Sequence, residues 1–165
     1  MPHPLVSVVV LNYNGRKFLD RCLNSLFKTN YPNFEIILVD NASTDGSIEF
    51  VKSNFHYYNN LKIICNKKNM GFAEGNNIGA RVAEGEYVVF LNNDTEVDPN
   101  WLKELVAVMD SDENIGAAQS KLLLFDRKTI DSAGDFINFY GFGWMRGRGE
   151  VDRGQFDKIK EIFSA

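Results

Sequence analysis

Four short stretches concentrate residues that can grip a polar ligand: Asn12 to Gly15, Asp40 to Gly46, Asn66 to Gly75 and Asn92 to Asp98. Asp40 ends the apolar run Phe34-Glu35-Ile36-Ile37-Leu38-Val39. A carboxylate there can accept hydrogen bonds from a base or a ribose hydroxyl, or it can cap the turn that follows, and position alone leaves the two readings even. Asn92-Asn93-Asp94 offers one carboxylate flanked by amides. Such a set holds a divalent cation weakly by itself and serves when phosphates and waters complete the shell; the plainer alternative is an acid closing a turn. Gly71, Gly75 and Gly79 allow close backbone approach, and loops that open helices present free N–H groups to anions. A Gly-x-Gly-x-x-Gly turn is missing after the first apolar run, as is a P-loop Lys-Ser/Thr. A dinucleotide dehydrogenase and a P-loop enzyme therefore lose support.

The elements that must position these residues alternate. Val6 to Leu11 is a β-branched run without helical period, as in a strand buried on both faces. A helix over about 16–28 follows, with Leu19, Cys22, Leu23, Leu26 and Phe27 on one stripe. A second strand runs to Asp40. Ser43 or Thr44 is expected to cap a second helix carrying Ile48, Val51 and Phe55 inward. Leu61 to Cys65 reads as a third strand, about 73–84 as a third helix, and Glu86 to Leu91 as a fourth strand. Asp98-Pro99 is expected to cap and open a fourth helix with Leu102, Leu105, Val106 and Met109 inward. Gly116 to Phe125 reads as a strand, 126–154 resists assignment, and Phe156, Ile159 and Phe163 suggest a short last helix. The alternation predicts an α/β fold with a mostly parallel sheet. All four polar loops then leave the carboxyl ends of strands, where such sheets bind ligands.

Composition removes other classes. The chain has 165 residues, 44% of them apolar, and a net charge of −4, which argues against a nucleic-acid groove. Cys22 and Cys65 make no disulfide framework and read as small core residues in a reducing compartment. No apolar run approaches a membrane span. The expected placement is cytoplasmic, with peripheral attachment at the cytoplasmic membrane face as an option.

The stretches VSVVVLNYNGRKFL, YPNFEIILVDNASTDGS, NMGFAEGNNIG and GEYVVFLNNDTEVDPNWL, in this order and spacing, closely resemble the family 2 inverting glycosyltransferases, and most of all their rhamnosyltransferase-like branch. The resemblance covers roughly residues 5–125. It implies a Rossmann-like GT-A three-layer sandwich and a nucleotide-diphospho-sugar donor (dTDP-rhamnose-like, or a UDP- or GDP-sugar). It also implies a Mg²⁺ or Mn²⁺ ion and a saccharide or lipid-linked acceptor. By that resemblance Leu11, Asn12 and Tyr13 lie beside the base and ribose. Asp40 accepts a hydrogen bond from the base. Asn69, Gly71 and Phe72 flank the nucleotide and sugar, Asn93 lies near the ribose, and Asp94 holds the metal on the diphosphate. Asn92 stands where the family's DXD-type motif has its first acid.

The family's base belongs to an ED-like motif that is not found before Ala165. Asp131, Asp135 and Glu150 read as solvated loop acids rather than a base. The expectation is therefore one incomplete domain over 1–165, truncated at its C-terminus, that binds donor but does not transfer sugar alone. Self-association through the surface from Phe136 to Trp144 is a further expectation. A non-catalytic nucleotide-sugar-binding domain is the main alternative. A receiver-like signalling domain is disfavoured, because Asn12 and Asn14 are amides where that fold needs acids.

Overall fold

The computed structural model describes residues 3–163, and the chain divides into two compact units, 1–100 and 101–165. In the first unit, strands β1 (Val6–Asn12), β2 (Phe34–Asp40), β3 (Leu61–Cys65) and β4 (Tyr87–Asn92) alternate with helices α1 (Arg16–Leu26), α2 (Ser47–Asn54) and α3 (Phe72–Arg81). The strands form one parallel sheet in the order β3-β2-β1-β4. The α/β class with a mostly parallel sheet is thus as the alternation of elements predicts.

Val6, Val8, Val9, Val10 and Ile36 to Val39 are fully buried, so β1 and β2 are covered on both faces. One face carries Val9, Ile37 and Val39, packed with Leu11, Ile64, Ile78 and Ala83. Helix α3 lies on this face through Gly79, where a Cβ would fall onto Val9 and within 3.1 Å of Val39. On the other pleat stand Val8, Val10, Ile36 and Leu38. Helices α1 and α2 pack on each other, and α1 buries Leu19, Cys22, Leu23 and Leu26. At the amino end of the strands Glu35 is tied down by Ser7 Oγ (2.6 Å), the Glu84 amide (2.9 Å) and Lys62 Nζ (2.8 Å).

In the second unit, helix α4 (Trp101–Met109) buries Leu102 and Val106. It is followed by two short antiparallel pairs, β5 (Leu122–Leu123) with β6 (Ile130–Ser132) and β7 (Asp135–Ile137) with β8 (Gly143–Met145). The expected strand over 116–125 shrinks to two residues. Leu124 and Phe125 are exposed, so apolar character there does not report burial. No helix forms over Phe156 to Phe163: Ile159 and Phe163 are exposed, and an apolar stripe without a surface to pack on does not hold a short helix.

Three local expectations are also corrected. Ser43 and Thr44 do not cap α2. Its N-cap is Gly46, at φ 78°, and Asp45 instead accepts from the Ser47 amide (3.1 Å) and hydroxyl (2.5 Å). α4 begins at Trp101, two residues later than expected, and Asp98 accepts from the Asn100 amide at 2.8 Å in the turn that leads into it. Cys65 is exposed at the end of β3, not a core residue.

Candidate functional site

Parallel register brings all four polar loops to one rim. Asn12 lies opposite Asp40, Asp40 opposite Cys65, and Leu11 opposite Asn92. Chain order reverses between β1 and its neighbours β2 and β4, the position where open α/β sheets form a crevice.

The centre of the rim is a chain of hydrogen bonds. Asn12, completely buried, donates from Nδ2 to Asp40 Oδ1 (2.9 Å) and to Ser43 Oγ (3.1 Å). Its Oδ1 accepts from Asn93 Nδ2 at 2.7 Å. Ser43 gives its hydroxyl to Asp40 Oδ1 (2.5 Å) and its amide to Oδ2 (2.8 Å), and its Oγ accepts from the Asn14 amide at 2.9 Å. Asn14 Oδ1 in turn accepts from the Thr44 amide at 2.8 Å. The loops after β1 and β2 are therefore stitched together, and Asn93 joins the loop after β4 to them. Asp45 adds one more stitch by accepting from the Arg16 amide at 2.8 Å. Burial pushes the Asp45 carboxyl up, but the Ser47 hydroxyl and the Arg16 and Ser47 amides outweigh it and hold it below the usual range.

A second hub, Asn41, secures the third loop. Its Nδ2 donates to the Gly71 carbonyl (3.0 Å), and its Oδ1 accepts from Asn66 Nδ2 (2.8 Å). Asn69 Oδ1 accepts from the Gly71 amide at 2.8 Å. Gly75 must be small here, since a Cβ would come 2.5 Å from Leu11 and 3.0 Å from Asn41. The sequence reading omits Asn41 and the bridging role of Ser43. Their signal is an amide and a hydroxyl placed directly after a strand-ending acid.

The residues named from sequence fall into two groups. Asn12 and Asp40, the latter 2% exposed, lie beneath the rim with their polar atoms engaged by protein. A carboxylate offers about four acceptor positions; three protein donors meet Asp40, two at Oδ1 and one at Oδ2. Tyr13, 51% exposed, and Phe72, 68% exposed, stand at the surface with Asn69, Gly71 and Asp94, while Leu11 and Asn93 are half-buried. Asp131 and Asp135 are half-buried in β6 and β7, and Glu150 is exposed.

Asp94 is the one carboxylate of the Asn92-Asn93-Asp94 turn, and no group of three or more His, Cys, Asp or Glu is assembled among the described residues. The donor set fits a hard cation only if phosphate and water supply most of its shell. Beneath this turn, Cys22 Sγ lies 3.9 Å from the Asn92 carbonyl. Burial, then the Asp94 charge, pushes its thiol up to about 12 against a counteracting Thr95 amide, so it stays protonated and is no nucleophile.

A parallel α/β sheet with polar loops gathered at its switch point is the GT-A fold that the solved structures below share. The glycosyl transferase family 2 model matches residues 7–158, and the chain belongs to that family. GlyG, a glycosyltransferase of Streptococcus pneumoniae, is 37% identical over 115 residues, covering 68% of this chain and 38% of that protein. Staphylococcus aureus TarS, solved with UDP, superposes with a TM-score of 0.60 at 30% identity, over 70% of this chain and 38% of that one. The mannosyltransferase PcManGT of Pyrobaculum calidifontis, solved with GDP-Man and Mn²⁺, gives 0.65 at 28% identity, over 68% and 34%. The chain thus spans well under half the length of these relatives.

Proposed function

We propose that the rim binds a nucleotide-diphospho-sugar and that the protein transfers its sugar, with inversion, to a saccharide or lipid-linked acceptor. One observation carries the reading: three polar loops on one rim are locked together around Asp40, Asn12 and Asn93, and Asn41 ties the fourth to them. The complexes of TarS with UDP and of PcManGT with GDP-Man and Mn²⁺ support it.

In this reading Tyr13 covers the base, and Asp40 accepts a hydrogen bond from it. Asn69, Gly71 and Phe72 border the nucleotide and sugar. Asp94 would hold Mg²⁺ or Mn²⁺, which would supply positive charge to neutralise the leaving diphosphate. Two neutral amides, Asn92 and Asn93, precede Asp94, and Asn92 removes a negative charge that would otherwise lie beside the diphosphate. Fixed loops hold the donor in one orientation, which is the positioning that in-line attack requires.

A thermal-shift and NMR titration with UDP-, dTDP- and GDP-sugars tests the proposal. One nucleotide series should bind and perturb Tyr13 and Phe72. No binding by any series, with the chain folded, would refute it.

A further inference from the structure

The buried chain Asp40–Asn12–Asn93 has only one consistent direction. A carboxylate accepts and cannot donate. Asn12 must therefore turn its NH₂ toward Asp40, as the 2.9 Å contact has it. Its oxygen is then the only group left for Asn93, which must answer with its own NH₂, at 2.7 Å. Reversing either amide would set acceptor against acceptor in a place that water does not reach, because Asn12 is completely buried. No buried side-chain polar atom among the described residues is left unsatisfied in this arrangement.

The consequence lies at the far end. Asn93 spends one of its two N–H donors on Asn12, which turns its Oδ1 away from Asn12, and no donor among the described residues engages that Oδ1 in the hydrogen bonds found there. Gly15 makes the arrangement fit. Any Cβ at that position would land on the Asn93 amide and within 2.5 Å of Asn12 Oδ1. The backbone of Gly15, at φ −105°, is open to other residues, so the glycine answers to space and not to conformation.

We infer that Asn12 is a positioning residue through which the charge of Asp40 orients Asn93, so that Asn93 presents a carbonyl oxygen, not an NH₂, to a ligand hydroxyl. This rests on the nucleotide-sugar reading of the rim only for the ligand's identity. It makes the acid at the end of β2 and the turn after β4 one electrostatic unit, with Asn12 never touching the ligand.

The test has an arm without ligand and an arm with one. In the free chain, side-chain amide NMR should show slowed exchange for the NH₂ groups of both Asn12 and Asn93. The Asn93 protection should be lost in Asn12→Leu. Free exchange of the Asn93 NH₂ in wild type overturns the inference, whatever the chain binds. In the second arm UDP, GDP and dTDP are titrated by calorimetry. Asn12→Leu should weaken the preferred diphosphate about ten-fold, and should have no further effect in an Asn93→Ala background. An equal loss in both backgrounds means that Asn12 acts only as general support, and overturns the inference. If Asn12→Leu does not fold, Asn12→Asp with Asp40→Asn restores a donor–acceptor contact at both links between 40, 12 and 93, with the first reversed and the charge moved by one residue, while bonds to Ser43 are lost. That pair should bind more tightly than Asn12→Asp alone, where two carboxylates face each other; no recovery overturns the inference. If wild type binds no diphosphate while its amides are protected, the nucleotide reading fails and the relay stands.

Discussion

The central strands of the first unit and the β7–β8 pair of the second use apolar residues in opposite ways. In the first, the β-branched runs of β1 and β2 are sealed on both faces, and polar side chains are gathered at one rim. In the second, strands of two or three residues leave Ile137, Phe139, Tyr140, Phe142 and Trp144 in solvent, Phe139 at 97% exposure. One face of β7–β8 carries ring contacts: Phe136 lies 5.9 Å from Trp144, and the Arg146 guanidinium lies over Phe136 and Phe156. The difference teaches that hydrophobicity marks the core only where a second layer is available to meet it.

The largest effect that sharpens this comparison is in the first unit. Ile37→Ala should destabilise by about 2–5 kcal/mol, because the cavity lies between fully buried neighbours that cannot collapse into it. Equilibrium urea unfolding followed by circular dichroism reads it. Asp40→Asn comes next. Three donors converge on this carboxylate, and an amide can satisfy only two of them. Stability should fall by roughly 1–3 kcal/mol, and nucleotide affinity by about ten- to a hundred-fold. A turn-capping role alone would move the first and leave the second.

Glu35 tests the opposite end of the sheet. Burial pushes its carboxyl up, but Lys62, the Ser7 hydroxyl and the Glu84 amide together hold it below its usual 4.5. The unfolded chain therefore binds the proton more readily, and stability rises with pH through this window. The contribution is complete above 4.5 and is lost as pH falls through the lowered folded value. Glu35→Gln should flatten the acid limb of a stability-versus-pH curve, and an unchanged limb would remove the network's role. The smallest effect belongs to Phe139→Ser, expected within about ±0.5 kcal/mol. A large loss there would show that Phe139 makes packing contacts that its 97% exposure does not reveal.

These contrasts also explain what could be read from sequence. Val6 to Leu11 and Phe34 to Val39 announce buried strands by composition, and the stripe from Leu19 to Leu26 announces α1 by period. The polar loops were legible because each follows such a run. The bonds within them were not, since the pairing of Asn12 with Asn93 links residues 81 positions apart and depends on parallel register. Asp45 and Gly46, not Ser43 and Thr44, open α2, because Ser43 is already committed to Asp40. In 116–163 the strands are set by partners across a turn, such as Phe136 opposite Trp144, and three-residue strands carry no period of their own.

The central claim is that this rim holds a nucleotide-diphospho-sugar through its diphosphate and a cation at Asp94. Calorimetry with UDP- and GDP-sugars, with and without Mn²⁺, on wild type and Asp94→Ala tests it most directly. Wild type should bind one donor only when Mn²⁺ is present. Asp94→Ala should keep its melting temperature, since the side chain is exposed, and lose that binding by at least about ten-fold. Equal affinity in both chains, with or without Mn²⁺, would contradict the account.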